Sequence, residues 1–118
     1  MERTVVIVDD HADFRGRAAD LVEAAGWVVV GSCPDGRSAL IAISTLRPDV
    51  VLLDVQLPDF DGFAVLAQVD PVDRPVVVLI STREAADYGA KLAHSGAAGF
   101  ITKAELSVQS LTQMVQGR

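Results

Sequence analysis

Length, composition and charge restrict this chain to one small globular domain. Its 118 residues suffice for a single hydrophobic core and are too few for two domains. Half of the residues are apolar and 22% are charged, which excludes a disordered chain. The net charge is −6 and no basic run is present, so we expect this domain to bind no nucleic acid.

The chain carries no signal for membrane insertion or export. No apolar run approaches the ~20 residues of a membrane span, and no signal-peptide pattern precedes the first strand. Cys33 is the only cysteine, which excludes an intrachain disulfide and suits a small buried side chain in a reducing compartment. We therefore expect a cytoplasmic protein that does not contact the membrane.

Strands and helices alternate regularly along the sequence. Apolar runs predict five strands, at 4–8, 27–32, 49–53, 76–80 and 98–101. Apolar residues at helical spacing predict five helices, at 13–25, 36–46, from about 62, at 83–95 and from about 105 to 116. Pro71 and Pro75 bracket a loop. This alternation predicts an α/β fold, a flavodoxin-like (βα)5 doubly wound parallel sheet with strand order 2-1-3-4-5.

Within the predicted helices, some apolar residues are expected to face the sheet. In the second helix, the inward residues are expected to be Ala39, Leu40, Ile43 and Leu46. Gly89 to Ala98 is rich in alanine, and it serves either as a homodimer face or for tight packing on the sheet.

Acidic residues stand at the carboxyl ends of two strands that this order makes neighbours. Asp9 and Asp10 end the first strand, and Asp54 follows an apolar run typical of a central strand buried on both faces. Ligands bind at this edge of open α/β sheets, so we expect three carboxylates to converge there. At roughly 4 Å, each like-charged pair costs on the order of 4 kcal/mol at an effective dielectric near 20. Either the carboxyl pKa values rise or a cation such as Mg²⁺ neutralises the cluster.

Two further polar residues follow the remaining strands on the same edge. Ser81 ends the fourth strand, and Lys103 follows the fifth. Alone, such a serine is most often a turn or a helix cap, and a lysine is usually a solvated charge. Together with the acids they predict a phosphoryl site, in which a carboxylate is the nucleophile and the lysine and a metal neutralise phosphoryl oxygens. The Ser81 hydroxyl can donate a hydrogen bond to one of those oxygens.

These strand ends resemble the response-regulator receiver domain of two-component signalling, and the resemblance covers nearly the whole chain. The matching fragments, in order, are VDDH at 8–11, LDVQLP at 53–58, DG at 61–62, IST at 80–82 and GFITK at 99–103. Each fragment alone is weak, but five in the right order at strand ends form a strong signal. The first and last fragments are most similar to the NarL/FixJ-type subgroup.

The resemblance implies a phosphorylation site on Asp54. Asp54 accepts a phosphoryl group from a sensor histidine kinase, in a reaction that the domain itself catalyses without being an enzyme for another substrate. Asp9 and Asp10 hold Mg²⁺ together with Asp54 and the backbone carbonyl of Gln56. Lys103 pairs with the phosphoryl group.

The same resemblance implies a switch. Ser81 is the switch hydroxyl and Phe100 the switch aromatic. Their movement changes the surface of the fourth helix, fifth strand and fifth helix, which controls an output domain or partner, in this subgroup usually in transcription.

Three features depart from the family pattern. Thr82 is bulkier than the small residue usual beside the switch serine, which would slow phosphoryl access. Ala104 replaces a proline that many members hold in a cis bond with the residue before it. The chain ends at Arg118, where this subgroup usually continues into a helix-turn-helix DNA-binding domain. We therefore interpret residues 1–118 as a single receiver domain, either alone or, as we favour, cut from a longer protein.

Other functions fit the residues less well. A phosphohydrolase with an aspartate nucleophile typically has a second Asp two residues later, where this chain has Gln56. A flavodoxin-like cofactor binder needs a Gly/Ser/Thr-rich loop after the first strand, where this chain has Asp9-Asp10-His11-Ala12. A pseudo-receiver that acts as an interaction or dimerisation module without phosphorylation remains open, because Thr82 could impair the chemistry.

Overall fold

Five parallel strands form a single sheet in the computed structural model, which describes residues 2–70 and 75–116. The strands are β1 (Thr4–Val8), β2 (Val28–Cys33), β3 (Val50–Asp54), β4 (Val76–Ser81) and β5 (Gly99–Thr102). The helices are α1 (Ala12–Ala24), α2 (Gly36–Leu46), α3 (Gly62–Ala67), α4 (Ala90–Ala93) and α5 (Val108–Gln116). The strand order β2-β1-β3-β4-β5 confirms the predicted flavodoxin-like fold. Pro71, expected to begin a loop, lies outside the described residues.

The sheet has a core on each face, because successive side chains of a strand point to opposite sides. Ile7 of β1 and Leu52 of β3 pack with residues of α1 and α5, and we call this side the α1–α5 face. Val8 and Leu53, their neighbours in sequence, pack with residues of α2 and α3 on the α2–α3 face. From Val5 to Val8 in β1 and from Val50 to Leu53 in β3, every residue is therefore apolar and buried.

The strand register brings the polar strand ends level with one another. Val8 pairs with Leu53, so Asp9 stands beside Asp54 at the next step of the two strands. Asp54 pairs with Ile80, and Ser81 pairs with Thr102. The carboxyl ends of four strands thus place Asp9, Asp54, Ser81 and Lys103 along one edge.

The fourth helix is much shorter than the sequence predicts. Instead of one helix over 83–95, the chain forms a 3-10 turn at Ala85–Asp87 and then the four-residue α4. Gly89 separates them with φ +54°, a left-handed conformation that a continuous helix cannot contain. Most of the alanine-rich stretch is exposed, including Ala90 and Ala93, so tight packing on the sheet is wrong for those two residues.

Several smaller details either differ from the prediction or answer a question that the sequence left open. Leu46 is 45% exposed rather than inward, because it lies at the end of α2 and covers Gly31 of the edge strand β2. Helix α5 begins at Val108 because a 3-10 turn at Lys103–Glu105 precedes it. The described residues contain no cis peptide bond, so the bond before Ala104 is trans. Within the same residues, no helix has the length and apolar character needed to cross a bilayer.

Gly62, at the start of α3, lets that helix approach the end of β3. A Cβ atom at this position would lie 2.5 Å from the carbonyl oxygen of Asp54 and 3.1 Å from the Cα atom of Val55. We predict that Gly62→Ala lowers the free energy of unfolding by about 2 kcal/mol, since neither backbone atom can move without distorting the strand end. Urea denaturation followed by circular dichroism measures this change.

Gly16→Ala is the matched control for that substitution. Gly16 lies in α1 with no atom within 4 Å of its added methyl group, so the alanine should raise stability by up to about 1 kcal/mol through helix propensity. A Gly62→Ala protein as stable as the wild type would show that the contact with β3 does not constrain α3.

Candidate functional site

Two buried carboxylates and one lysine meet at the carboxyl edge of the sheet. Asp9 is 0% exposed and Asp54 is 3% exposed. The Nζ atom of Lys103 lies 2.5 Å from Oδ2 of Asp9 and 3.4 Å from Oδ2 of Asp54. The structure therefore brings these three predicted site residues into direct contact, with the ammonium group shared by both acids.

The cluster holds two carboxylates and one ammonium group, and the pKa values of the two acids shift in opposite directions. Burial raises the pKa of Asp54 to about 6, and the neighbouring Asp9 carboxylate adds to the rise. The hydrogen bond from the Gln56 N–H and the charge of Lys103 act to lower this pKa but do not outweigh the rise. Burial also acts to raise the pKa of Asp9, but the contact with Lys103 and the His11 N–H outweigh it and hold that pKa below its usual range. The pKa of Lys103 is raised because both acids outweigh its own burial. Asp54 thus carries the less favourable negative charge of the pair.

Asp10 lies on the outer side of this cluster. Nδ1 of His11 is 3.0 Å from Oδ1 of Asp10 and 3.3 Å from Oδ1 of Asp9, and the His11 N–H donates to Asp9 Oδ1 at 2.8 Å. Ligand atoms of Asp9, Asp10 and His11 all lie within 4.8 Å of one another. Asp9 is therefore common to an inner pair with Asp54 and an outer group with Asp10. The sequence analysis missed the ring contacts of His11, although its position directly after two acids was a signal for them.

The donor set of this edge fits a hard divalent cation. Asp9 Oδ2 is buried and is paired with the Lys103 ammonium group. Carboxylate oxygens at this density are the ligands that Mg²⁺ accepts, and Mg²⁺ keeps several waters that the open outer side could hold. The Gln56 N–H donates to Asp54 Oδ1 at 3.1 Å, which ties the residue whose carbonyl was predicted as a ligand to the Asp54 carboxylate.

The loop between β3 and α3 is tied to the beginning of α2. The Asp59 carboxylate accepts hydrogen bonds from the backbone N–H groups of Gly36 and Arg37, both at 2.9 Å. Burial acts to raise the pKa of Asp59, but these bonds lower it below its usual value. The ring of Phe60 lies directly against Gly36. This anchoring restrains the loop that follows Asp54 and carries Gln56.

Ser81 is fully buried, and its hydroxyl contacts a residue that the sequence analysis overlooked. Ser81 Oγ lies 2.6 Å from the hydroxyl of Tyr88 and accepts a hydrogen bond from the Arg83 N–H at 3.0 Å. The Tyr88 ring contacts Phe100, the predicted switch aromatic, with ring centres 5.8 Å apart. Tyr88 lies inside the helix predicted over 83–95, and a helical pattern does not predict a contact with Ser81.

An open cleft gives access to the cluster from the side of α1. Lys103 Nζ lies 4.5 Å from the ring centre of Phe14, which fixes the lysine stem beside the acids. Arg15 donates to the backbone carbonyl of Asp9 at 2.6 Å. The cleft is lined by Asp10, His11, Ala12, Asp13, Phe14, Arg17, Thr82 and Lys103. Thr82, the bulky departure noted above, is thus exposed at the entrance.

Comparison with known proteins decides the family. The model of the response regulator receiver domain matches residues 5–116. The chain belongs to the receiver-domain family of response regulators. The match extends from β1 to the end of α5 and so covers every element that builds the site.

Similar proteins include receiver domains of regulators, in line with the predicted NarL/FixJ-type resemblance. The signal receiver domain of the response regulator NarL from Mycobacterium tuberculosis is 36% identical, with a TM-score of 0.85 over 99% of this chain and 98% of that one. The transcription regulator BvgA of Bordetella pertussis is 33% identical over 106 residues, which are 89% of this chain and 51% of BvgA. A protein-glutamate methylesterase/protein-glutamine glutaminase of Archaeoglobus fulgidus is 34% identical over 95% of this chain and 33% of its own length. The chain thus spans about half of BvgA and one third of the methylesterase.

Asp54→Asn should stabilise the domain at neutral pH. An acid with a raised pKa binds its proton more tightly in the folded chain, so ionised Asp54 lowers stability as pH rises through about 4 to 6. In EDTA at pH 7.5, we expect the variant to gain about 1 to 3 kcal/mol in urea denaturation, and the gain to shrink towards pH 4.5.

Asp20→Asn provides the control for this measurement, since Asp20 is an exposed acid on α1. It should leave the denaturation midpoint nearly unchanged at both pH values. If Asp54→Asn destabilised the domain at pH 7.5, the Asp54 carboxylate would be a net stabilising partner of Lys103, contrary to the charge balance described here.

Proposed function

We propose that this chain is a phosphorylation-controlled signalling domain in which Asp54 accepts a phosphoryl group from a sensor histidine kinase. The observation that carries this proposal is the contact of Lys103 with two buried carboxylates at the sheet edge. If Lys103 served only to form a stabilising ion pair, one carboxylate would be enough to neutralise it. The second, Asp54, has a raised pKa and a position at the end of a central strand, which suits a nucleophile.

The transfer can be written with the groups present. An ionised Asp54 oxygen attacks the phosphorus of a phosphohistidine, the bond from phosphorus to the imidazole nitrogen breaks, and an acyl phosphate forms on Asp54. The leaving imidazole takes up a proton from solvent. Lys103 can follow the phosphoryl oxygens with its ammonium group while it keeps its contact with Asp9. Because the pKa of Asp54 is about 6, the nucleophile is ionised mainly above that pH.

Mg²⁺ is the cofactor that this site would hold. Asp9, Asp10, Asp54 and the backbone carbonyl of Gln56 are the proposed ligands. When bound, the ion would offset negative charge on the acids and on the incoming phosphoryl group. The chain's own contribution is to keep Asp9 buried and oriented by the His11 N–H.

The output of the switch is carried by Ser81 and Phe100. Ser81 would turn to the phosphoryl group, Phe100 would move into the space it leaves, and the surface of α4, β5 and α5 would change. We propose that this surface controls a DNA-binding output domain of a longer transcription regulator, because BvgA is twice as long as the matched segment. The same surface could pair two copies of the domain. The charge of −6 makes this domain itself a poor ligand for nucleic acid.

Intact-mass spectrometry tests the proposed phosphorylation. With a small phosphodonor such as acetyl phosphate and Mg²⁺, we predict that the wild type gains one acid-labile phosphoryl group and that Asp54→Asn gains none. Asp20→Asn should behave like the wild type, since Asp20 is an exposed acid of α1 outside the proposed ligand set. A wild type without added mass would favour the alternative function, an interaction module in which Thr82 blocks the cleft.

Asp10→Asn tests the outer part of the cation site. Asp10 is exposed and pairs with His11, so its substitution should leave the fold intact and weaken Mg²⁺ binding by about tenfold through loss of one charged ligand. Isothermal titration with millimolar Mg²⁺ measures this, with Asp20→Asn as the control. Equal affinity in all three proteins would remove Asp10 from the ligand set.

A further inference from the structure

The buried hydroxyl of Ser81 is held by the segment that follows it in sequence. Its two partners are the Arg83 N–H at 3.0 Å and the Tyr88 hydroxyl at 2.6 Å. Among the residues that the structure describes, Ser81 Oγ has no hydrogen bond to Asp54 or Lys103. The residue proposed to contact the phosphoryl group is therefore engaged elsewhere in this state.

The position of Tyr88 is fixed from two sides. Its ring meets Phe63 of α3 edge-on, with ring centres 5.5 Å apart, and Phe100 of β5 at 5.8 Å. The turn before it is closed by a hydrogen bond from the Glu84 N–H to the Asp87 carboxylate at 3.0 Å. The chain then reverses at Gly89 with φ +54°. These contacts aim the Tyr88 hydroxyl at Ser81.

We propose that Tyr88 is a positioning residue that holds the Ser81 hydroxyl away from Asp54 in the resting domain. This inference rests on the proposed function, since it concerns the approach of Ser81 to a phosphoryl group. A serine hydroxyl has one hydrogen and two lone pairs. Arg83 uses one lone pair and Tyr88 uses the hydrogen or the other lone pair, so a move of Oγ towards Asp54 breaks the 2.6 Å contact in either arrangement.

The aromatic hydroxyl that contacts Ser81 comes from a segment outside the sheet. Phe100, at the predicted switch position on β5, has no hydroxyl group. Tyr88 is the only tyrosine in the chain, and it supplies that group from the segment between β4 and α4. The loss of one neutral hydrogen bond should shift the balance between resting and active arrangements by about two- to tenfold.

Tyr88→Phe removes the hydroxyl and keeps the ring between Phe63 and Phe100. We expect the initial rate of phosphorylation by acetyl phosphate and Mg²⁺, followed by intact mass, to rise about two- to tenfold. In a Ser81→Ala background the same substitution should have no effect, because the group it releases is gone. An equal rise in both backgrounds would overturn the proposal, since Tyr88 would then act through packing alone.

A spectroscopic readout follows Tyr88 directly. Tyrosine labelled with ¹³C at Cζ gives a single resonance in this chain, and its chemical shift responds to hydrogen bonding of the hydroxyl. The resonance should move in Ser81→Ala, and should move in the wild type when acetyl phosphate and Mg²⁺ are added. It should stay in place in Asp54→Asn under the same conditions. A resonance that is identical in the wild type and Ser81→Ala would overturn the proposed contact.

The two proposals fail in different ways. A wild type that gains no phosphoryl mass overturns the proposed function, and the role of Tyr88 in it. A wild type that is phosphorylated as fast as Tyr88→Phe overturns only the role of Tyr88.

Discussion

The burial of two carboxylates beside a single ammonium group is the constraint around which this site is arranged. Asp9 and Asp54 stand side by side because β1 and β3 pair in register, and Lys103 reaches both. One cation cannot neutralise two acids, and water cannot solvate them where they lie. Asp9 keeps the stronger contact, and the pKa of Asp54 rises. In the proposed function, the remaining negative charge would attract a further cation, and Asp54 would be the group that reacts.

The surrounding fold holds this arrangement at close range. Gly62 allows α3 to begin against the carbonyl of Asp54, and Asp59 fastens the following loop to the first residues of α2. On the other side, Phe14 of α1 supports the ammonium group of Lys103. Each element that contacts the cluster thus limits how far its charges can move apart. The repulsion between the two carboxylates persists because packing, rather than the charges themselves, sets the distances among Asp9, Asp54 and Lys103.

The sequence predicted the sheet and the residues at its edge, because both follow from short patterns. Apolar runs fix strands, and strand order brings their ends together. Side-chain contacts that interrupt a helical pattern do not follow from such patterns. The pattern over 83–95 suited one helix, but Gly89 and the contact of Tyr88 with Ser81 interrupt it. The pattern also does not separate the three acids: Asp9 and Asp54 are buried beside Lys103, whereas Asp10 is exposed and pairs with His11.

Alternation of side chains along the strands places the acids with Lys103 on one face of the sheet and Ser81 on the other. Ile7, Leu52 and Ile101 lie on the α1–α5 face, and the acids and Lys103, each two residues further on, continue that face. Leu79 lies on the α2–α3 face, so Ser81 continues that one, where Tyr88 and Phe100 pack. A group attached to Asp54 can reach Ser81 only across the sheet edge. In the proposed switch, a charge change on one face would therefore be transmitted to the other by reorientation of the Ser81 hydroxyl. The element beside that hydroxyl is the short, largely exposed segment before α4, which Tyr88 ties to Phe63 and Phe100.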